Sequence, residues 1–95
     1  MSYWTYFLCN KPRGTFYIGM TGHLIKRIAE HRDGMVEGFT KRYGIKRLVY
    51  FEEHATALDA IKREKTLKRW PRAWKIALVE RSNPDWHDLF HGIVS

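Results

Sequence analysis

The chain has 95 residues, of which 44% are hydrophobic and 15% aromatic, enough for one core and too few for two, so residues 1–95 are predicted to form one domain. Its 17 Lys and Arg residues against 10 Asp and Glu residues give a formal charge of +7, which favours nucleic acid as a partner. Cys9 is the only cysteine, which excludes an internal disulfide and a thiolate zinc cluster. No secretion signal or membrane-spanning run is recognised, so a cytoplasmic location is expected.

The N-terminal residues predict an antiparallel β-hairpin. Residues 3–9 (Tyr-Trp-Thr-Tyr-Phe-Leu-Cys) and residues 15–20 (Thr-Phe-Tyr-Ile-Gly-Met) are rich in the aromatic and β-branched side chains that favour strands. Residues 10–14 between them contain Asn, Pro and Gly, which are typical of a tight turn.

A helix is predicted next, over residues 23–33. Leu24 and Ile28 are four residues apart, as on one face of a helix. Thr21 is expected to be its N-cap, and Gly34 is expected to end it.

The second half of the chain is predicted to add a strand and further helices. The predicted elements are a short helical turn within residues 40–43, a strand over 48–52, helices over 55–69 and 71–80, and a short terminal helix from Asn83. Pro71 is expected to open the 71–80 helix, and Asn83 before Pro84 is typical of an N-cap followed by proline at the first helical position. The predicted fold class is α+β, a small three-stranded antiparallel sheet flanked by helices in the order ββαβαα.

Glu64 is placed among the apolar positions of the 55–69 helix. Leu58, Ile61 and Leu67 recur at helical spacing, and Glu64 lies three residues from both Ile61 and Leu67. A carboxylate beside an apolar stripe needs a partner, which could be a metal ion or a cationic side chain. The alternative without a functional role is an exposed ion pair between Glu64 and Lys68, four residues further on.

Arg27 and His31 are also four residues apart, so both project from the same face of their helix, near the apolar seam. The alternative is that they form the solvated edge of an amphipathic helix. Phosphodiester hydrolysis requires charge to stabilise the transition state, a group that activates water and an acid for the leaving oxygen. Together with Glu64 and the strand tyrosines Tyr6 and Tyr17, these side chains can supply all three. A single carboxylate suits Mg²⁺, since this ion keeps several of its waters.

These residues carry a resemblance to the GIY-YIG nucleases, which open with strands ending in Gly-Ile-Tyr and Tyr-Ile-Gly. Tyr17-Ile18-Gly19 reproduces the second triplet. Tyr6 stands eleven residues before Tyr17, in the slot of the first tyrosine, where the triplet reads Trp4-Thr5-Tyr6. The resemblance implies a fold of GIY-YIG type.

The later positions match the same family. Arg27 follows Tyr17 by ten residues, His31 follows Arg27 by four, and Glu64 occupies the place of the family's metal-binding glutamate. Other segments resemble small stand-alone bacterial members that are similar to the N-terminal nuclease domain of a bacterial excinuclease, which suggests a role in DNA repair.

The resemblance implies a metal-dependent endonuclease that cleaves DNA with weak or structure-directed specificity. Its catalytic set would be Tyr6, Tyr17, Arg27, His31 and Glu64. Glu64 would bind Mg²⁺ or Mn²⁺ and Arg27 would stabilise the phosphate, whereas the division of labour among Tyr6, Tyr17 and His31 stays open. Specificity could come from a protein partner, because a separate DNA-binding module is not recognised.

The basic side chains of the 55–69 and 71–80 helices could contact phosphates or simply form a solvated face. The residues expected to bind nucleic acid are Arg42, Lys65, Lys68, Arg72 and Lys75. An alternative function is a nucleic-acid-binding module that keeps the nuclease fold but has little or no cleavage activity. A protein-interaction domain is a third reading.

Three tryptophans, Trp70, Trp74 and Trp86, are expected to belong to the core, although they could also stack on bases. Trp86 with Phe90 would, if exposed, permit a homodimer.

Overall fold

The computed structural model describes residues 1–36 and 38–94. The elements in chain order are β1 Tyr3–Cys9, β2 Phe16–Thr21, α1 Leu24–Arg32, α2 Phe39–Arg42, β3 Arg47–His54, α3 Ala57–Arg69, α4 Arg72–Ser82 and α5 Phe90–Val94. The predicted α+β class is confirmed. Within the described residues, no helix is long and apolar enough to cross a membrane.

The sheet is antiparallel throughout, with β1 at its centre and the order β2-β1-β3. The predicted hairpin of β1 and β2 is confirmed, and its register sets Tyr6 opposite Gly19. On the other side, Tyr6 is opposite Phe51 of β3, which is longer than the predicted strand.

The two faces of the sheet carry two separate cores because successive side chains of a strand point to opposite faces. Phe7 and Cys9 of β1 pack with Leu67 of α3 and with side chains of α4. The alternate residues Tyr6 and Leu8 pack with side chains of α1 and α5. The sheet therefore lies between α1 and α5 on one side and α3 and α4 on the other.

The inward face of α3 differs from the predicted stripe. Ala60 and Leu67 are buried, whereas Leu58 is 59% exposed and Ile61 is also exposed. The helix lies close against β1, since the Thr5 hydroxyl donates to the Ala60 carbonyl oxygen at 3.0 Å and Ala60 is fully buried. Leu67 is thus buried as predicted, and Ala60 is buried in place of Leu58 and Ile61.

Two predicted helix caps are wrong. The N-cap of α1 is His23, and the hydroxyl of Thr21 instead accepts a hydrogen bond from the His23 backbone N–H. Asn83 closes the C-terminus of α4 and is buried, with its side-chain amide donating to the carbonyl oxygens of Val49 and His87. Consequently the terminal helix starts only at Phe90.

The aromatic predictions near the C-terminus hold only in part. Trp86 is buried, as expected of a core residue, and Phe90 is half-buried, so the exposed pair that would have permitted a homodimer is absent. Trp70 is half-buried, but Trp74 is exposed, against the prediction. The edge-on contact between the Trp70 and Trp74 rings covers only one side of Trp74.

Candidate active site

The two tyrosines of the predicted site lie side by side on the face of the sheet that α1 covers. Tyr6 on β1 and Tyr17 on β2 have ring centroids 6.3 Å apart. Gly19, opposite Tyr6 in the ladder, makes this arrangement possible. A Cβ atom added at Gly19 would lie 2.6 Å from the Tyr6 hydroxyl oxygen and 3.1 Å from a Tyr17 ring carbon. Glycine is therefore required here by the packing of both rings.

A chain of hydrogen bonds runs from Tyr6 into α1 and α2. The Tyr6 hydroxyl lies 3.2 Å from Nε2 of His31, and Nδ1 of His31 lies 3.1 Å from the Thr40 hydroxyl. Tyr6 is 1% exposed, His31 is 2% exposed and Thr40 is also buried. Both ring nitrogens of His31 are thus held by hydroxyl groups, and the chain is shielded from bulk water.

Burial keeps this chain uncharged at neutral pH. Desolvation, with a smaller contribution from Tyr17, raises the pKa of the Tyr6 hydroxyl far above its ordinary value, although the positive charge of Arg27 opposes the shift. Desolvation and then the charge of Arg27 lower the pKa of His31, against an opposing effect of Glu30. Tyr6 and His31 therefore form a neutral, hydrogen-bonded pair.

Arg27 lies on the exposed edge of α1. Its guanidinium is 3.7 Å from the carboxylate of Glu30 in an i,i+3 pair. With Thr21, His23 and Lys26, these two side chains line a depression of about 220 Å³. An exposed ion pair of this kind is weak, so the guanidinium can exchange its carboxylate for a phosphate.

Glu64 belongs to the opposite layer of the fold. It lies on α3, which packs against β1 and β2, and its largely buried carboxylate is 3.1 Å from Nζ of Lys68. The ion pair expected from the i,i+4 spacing is therefore present. The negative charge of Glu64 also raises the pKa of Tyr6, so the carboxylate lies within electrostatic reach of the tyrosine hydroxyl.

Of the other four predicted residues, two lie directly beside Tyr6 and two act on its pKa through their charges. His31 contacts it, Tyr17 lies beside it, and the charges of Arg27 and Glu64 act on it. In a comparison with known proteins, residues 2–77 match the family described as the GIY-YIG catalytic domain. The chain belongs to the GIY-YIG family.

Similar proteins of known sequence or structure are named UPF0213 proteins. The chain is 35% identical to a UPF0213 protein of Clostridium perfringens over 65 residues, which cover 68% of this chain and 70% of the relative. It is 35% identical to a UPF0213 protein of Staphylococcus saprophyticus over 66 residues, 70% of this chain and 80% of the relative. The solution structure of a UPF0213 protein from Bacillus halodurans aligns over 93% of both chains with a TM-score of 0.57 and 26% identity. The GIY-YIG match establishes a nuclease-type domain.

Glu64 is the carboxylate that could hold a metal ion in this GIY-YIG domain. Among the described residues, no three His, Cys, Asp or Glu side chains gather into a metal cluster. A lone carboxylate fits Mg²⁺ or Mn²⁺ better than zinc, because these ions accept waters and phosphate oxygens as their remaining ligands. The residues present therefore fit a weakly held, oxygen-ligated cation.

The five residues predicted to bind nucleic acid are placed differently from one another. Arg42 and Lys65 are exposed, and Lys68 contacts Glu64. Arg72 donates to the carbonyl oxygens of Arg13 and Gly14, so it holds α4 against the hairpin turn.

Lys75 is engaged within the fold as well. Its ammonium group donates to the Lys68 carbonyl oxygen at 3.3 Å, which links α4 to the end of α3. Arg42 and Lys65 are consequently better placed than Arg72 and Lys75 to meet a ligand.

Two further residues shape the site but were not predicted from the sequence. Glu30 orients Arg27, and its position three residues later on the same helix was a readable signal. Thr40 holds His31, but it lies on a different helix, and no local pattern indicates that contact.

Proposed function

We propose that this protein is a metal-dependent endonuclease that hydrolyses DNA phosphodiester bonds with structure-directed or weak sequence specificity. The proposal is carried by the packing of Tyr17 beside Tyr6, whose hydroxyl lies 3.2 Å from Nε2 of His31. Arg27 on α1 and Glu64 on α3 add a cation and a carboxylate whose charges both act on the pKa of Tyr6. Arg27 and Glu64 each hold only a local, exchangeable partner. A cation that is not neutralised by the carboxylate can bind the phosphodiester, and the carboxylate and the tyrosine hydroxyls can act on the attacking water.

Glu64 would hold the metal ion, with Lys68 as the partner of its carboxylate when no metal is bound. A bound Mg²⁺ or Mn²⁺ supplies positive charge that stabilises the transition state and acidifies bound water. Arg27 provides the second positive charge. Its planar guanidinium can donate two parallel hydrogen bonds to a phosphate, and Glu30 keeps it oriented until the substrate arrives.

Burial separates the roles of the three remaining residues. Tyr17 is half-buried, so its hydroxyl can reach a water molecule or a substrate oxygen. Tyr6 and His31 are shielded from water and hydrogen-bonded to each other, and the raised pKa of Tyr6 excludes a phenolate at neutral pH. In this proposal Tyr17 orients the attacking water, whereas Tyr6 and His31 are positioning residues.

The decisive experiment is cleavage of branched, single-stranded and duplex DNA with Mg²⁺, with Mn²⁺ and with EDTA. We expect cleavage in either metal and none in EDTA. Glu64→Gln and Arg27→Ala should each abolish most of it, whereas the matched variant Glu53→Gln, at an exposed carboxylate of β3, should cleave normally. Cleavage that persists in EDTA, or in both site variants, would contradict the proposal.

A second candidate is a nucleic-acid-binding module with little or no cleavage. The burial of Tyr6 and His31, together with Trp4-Thr5 in place of Gly-Ile, favours it. It predicts salt-sensitive DNA binding without any metal-dependent cutting of the three substrates.

A further inference from the structure

Helix α2 presents two aromatic rings to solvent beside the site. Phe39 is 47% exposed and Tyr43 is 50% exposed, and they are one helical turn apart. Their ring centroids are 5.0 Å apart at an angle of 52°, so the rings form one surface. The buried residue of this helix is Thr40, which means that the fold does not need these rings in its core. We call Phe39 and Tyr43 the aromatic platform.

Positive charge surrounds the aromatic platform. The guanidinium of Arg42 lies 5.5 Å from the centre of the Tyr43 ring. Lys41 and Arg42, with Gly38 and the two rings, line a shallow depression of about 760 Å³. Flat rings flanked by cations match the chemistry of a nucleotide, whose base stacks and whose phosphate is anionic.

The position of the platform is fixed relative to the site. Thr40, between its two rings in sequence, hydrogen-bonds Nδ1 of His31, and His31 contacts Tyr6. Gly38 has a φ of +101°, which glycine adopts readily, and this conformation turns the chain into α2. Two hydrogen bonds therefore connect the residue between the platform rings with the Tyr6 hydroxyl.

We propose that the aromatic platform binds an unstacked nucleobase of a DNA strand, while Arg42 contacts a flanking phosphate. The choice of DNA rests on the proposed function. Bases inside a duplex are stacked on their neighbours and cannot lie on a protein ring without leaving the helix. The substrate class is accordingly DNA with unpaired nucleotides, such as a single strand, a flap or a branch point.

Binding without cleavage tests this proposal. The protein background is Glu64→Gln in EDTA, and the probe is a fluorescent DNA strand of about twelve nucleotides, comparable with known single-strand sites. Phe39→Leu with Tyr43→Leu should weaken binding about five- to 150-fold, the effect of losing a stacked base. Phe39→Tyr with Tyr43→Phe keeps both rings and should restore wild-type affinity. Thermal melts check that every variant is folded.

Two controls separate stacking from general charge. A strand of the same length that carries no bases should bind the parent protein more weakly by the same factor, and the leucine variant should bind it no worse. Trp74→Leu removes an exposed ring on α4 and should leave the affinity unchanged.

Several results would contradict the proposal that the aromatic platform binds a nucleobase. These are unchanged binding in the leucine variant, equal weakening on the strand without bases, equal weakening by Trp74→Leu, or tighter binding of RNA of the same sequence. Since no cleavage is measured, a protein that never cuts DNA would refute the proposed function without deciding the fate of the platform.

Discussion

Two polar networks of similar composition lie on the two faces of the sheet. One is the candidate site around Tyr6. The other lies along β3, where the carboxylate of Glu52 accepts hydrogen bonds from the Tyr50 hydroxyl and from Nε of Arg63, the latter at 2.6 Å. His54 lies 3.3 Å from the same carboxylate. Each network combines tyrosine, histidine, arginine and glutamate, so residue type alone does not distinguish them.

The arrangement of charge distinguishes the networks. Glu52 and Arg63 are in direct contact and neutralise each other. Arg27 and Glu64 lie on separate helices, and within the described part of the chain the ion pair of each is with a neighbour on its own helix. A network whose donors and acceptors are paired with one another stabilises the fold. A network in which opposite charges are kept apart can still bind a charged ligand favourably.

The largest expected effect is that substitution of Glu64 impairs cleavage but not stability, whereas substitution of Glu52 impairs stability but not cleavage. Glu64→Gln should reduce cleavage by about a hundredfold or more, because it removes the metal ligand. It should change the free energy of unfolding by only about 0.5 kcal/mol, the value of an i,i+4 ion pair. Glu52→Gln should cost about 1–3 kcal/mol, because it removes the charge that neutralises Arg63 and replaces one of the two oxygens that accept from Arg63 and Tyr50 with an N–H donor, yet keep the cleavage rate of the folded protein.

Urea denaturation and cleavage assays on both variants measure these opposite effects. The comparison fails if Glu52→Gln abolishes cleavage while folded, or if Glu64→Gln unfolds the protein.

The tyrosines provide the next contrast, within the site itself. Tyr17→Phe should lower the cleavage rate about a hundredfold with little change in stability, since its hydroxyl is assigned to the reaction. Tyr6→Phe should cost about 1–3 kcal/mol of stability, because Nε2 of His31 loses its buried partner. The effect of Tyr6→Phe on cleavage should be smaller. Equal losses of cleavage in the two variants, with equal stability, would contradict the assignment.

The sequence predicted those features that depend on local signals. The hairpin followed from aromatic strands around a turn, and Gly34 ends α1 with a φ of +71°, as its type suggested. Tyr17, Arg27 and Glu64 were identified from their order and spacing. Their assignment to the reaction stays a prediction.

Features that depend on packing between distant segments were missed. Asn83 precedes a proline, as an N-cap does, but its amide is used by the Val49 carbonyl oxygen, 34 residues away. Leu58 looked like a core residue, but the depth at which α3 meets β1 buries Ala60 in its place. The burial of His31 likewise depends on Thr40, on a helix with no clear pattern.

Gly19 tests how tightly the site is packed. Gly19→Ala brings a Cβ within 2.7 Å of the Tyr6 hydroxyl oxygen and its ring carbon, which must displace a buried ring. We expect a loss of about 1–3 kcal/mol in the free energy of unfolding, typical of overpacking. Gly22→Ala is the matched control, because its Cβ would meet only Tyr3 ring carbons at 3.4 and 3.5 Å. Equal stability of the two variants would show that the Tyr6 ring is not confined.

The smallest effect concerns the protonation of His31. Since burial and Arg27 lower its pKa in the native state, the unfolded chain binds more protons than the folded one just below the ordinary pKa of about 6.5. The stabilising contribution of neutral His31 is therefore complete above that pH, and it declines as the pH falls towards the native pKa. Below the native pKa, the loss is complete.

His31→Gln should flatten the stability profile between about pH 7.5 and pH 5, which urea titrations at several pH values would measure. The lowered pKa of Asp88 acts in a separate window, because its stabilisation is lost only below about pH 4. Equal slopes in the wild type and His31→Gln would mean that water reaches His31. In that case, the site would lose the shielding that assigns Tyr6 and His31 to positioning and Tyr17 to the reaction.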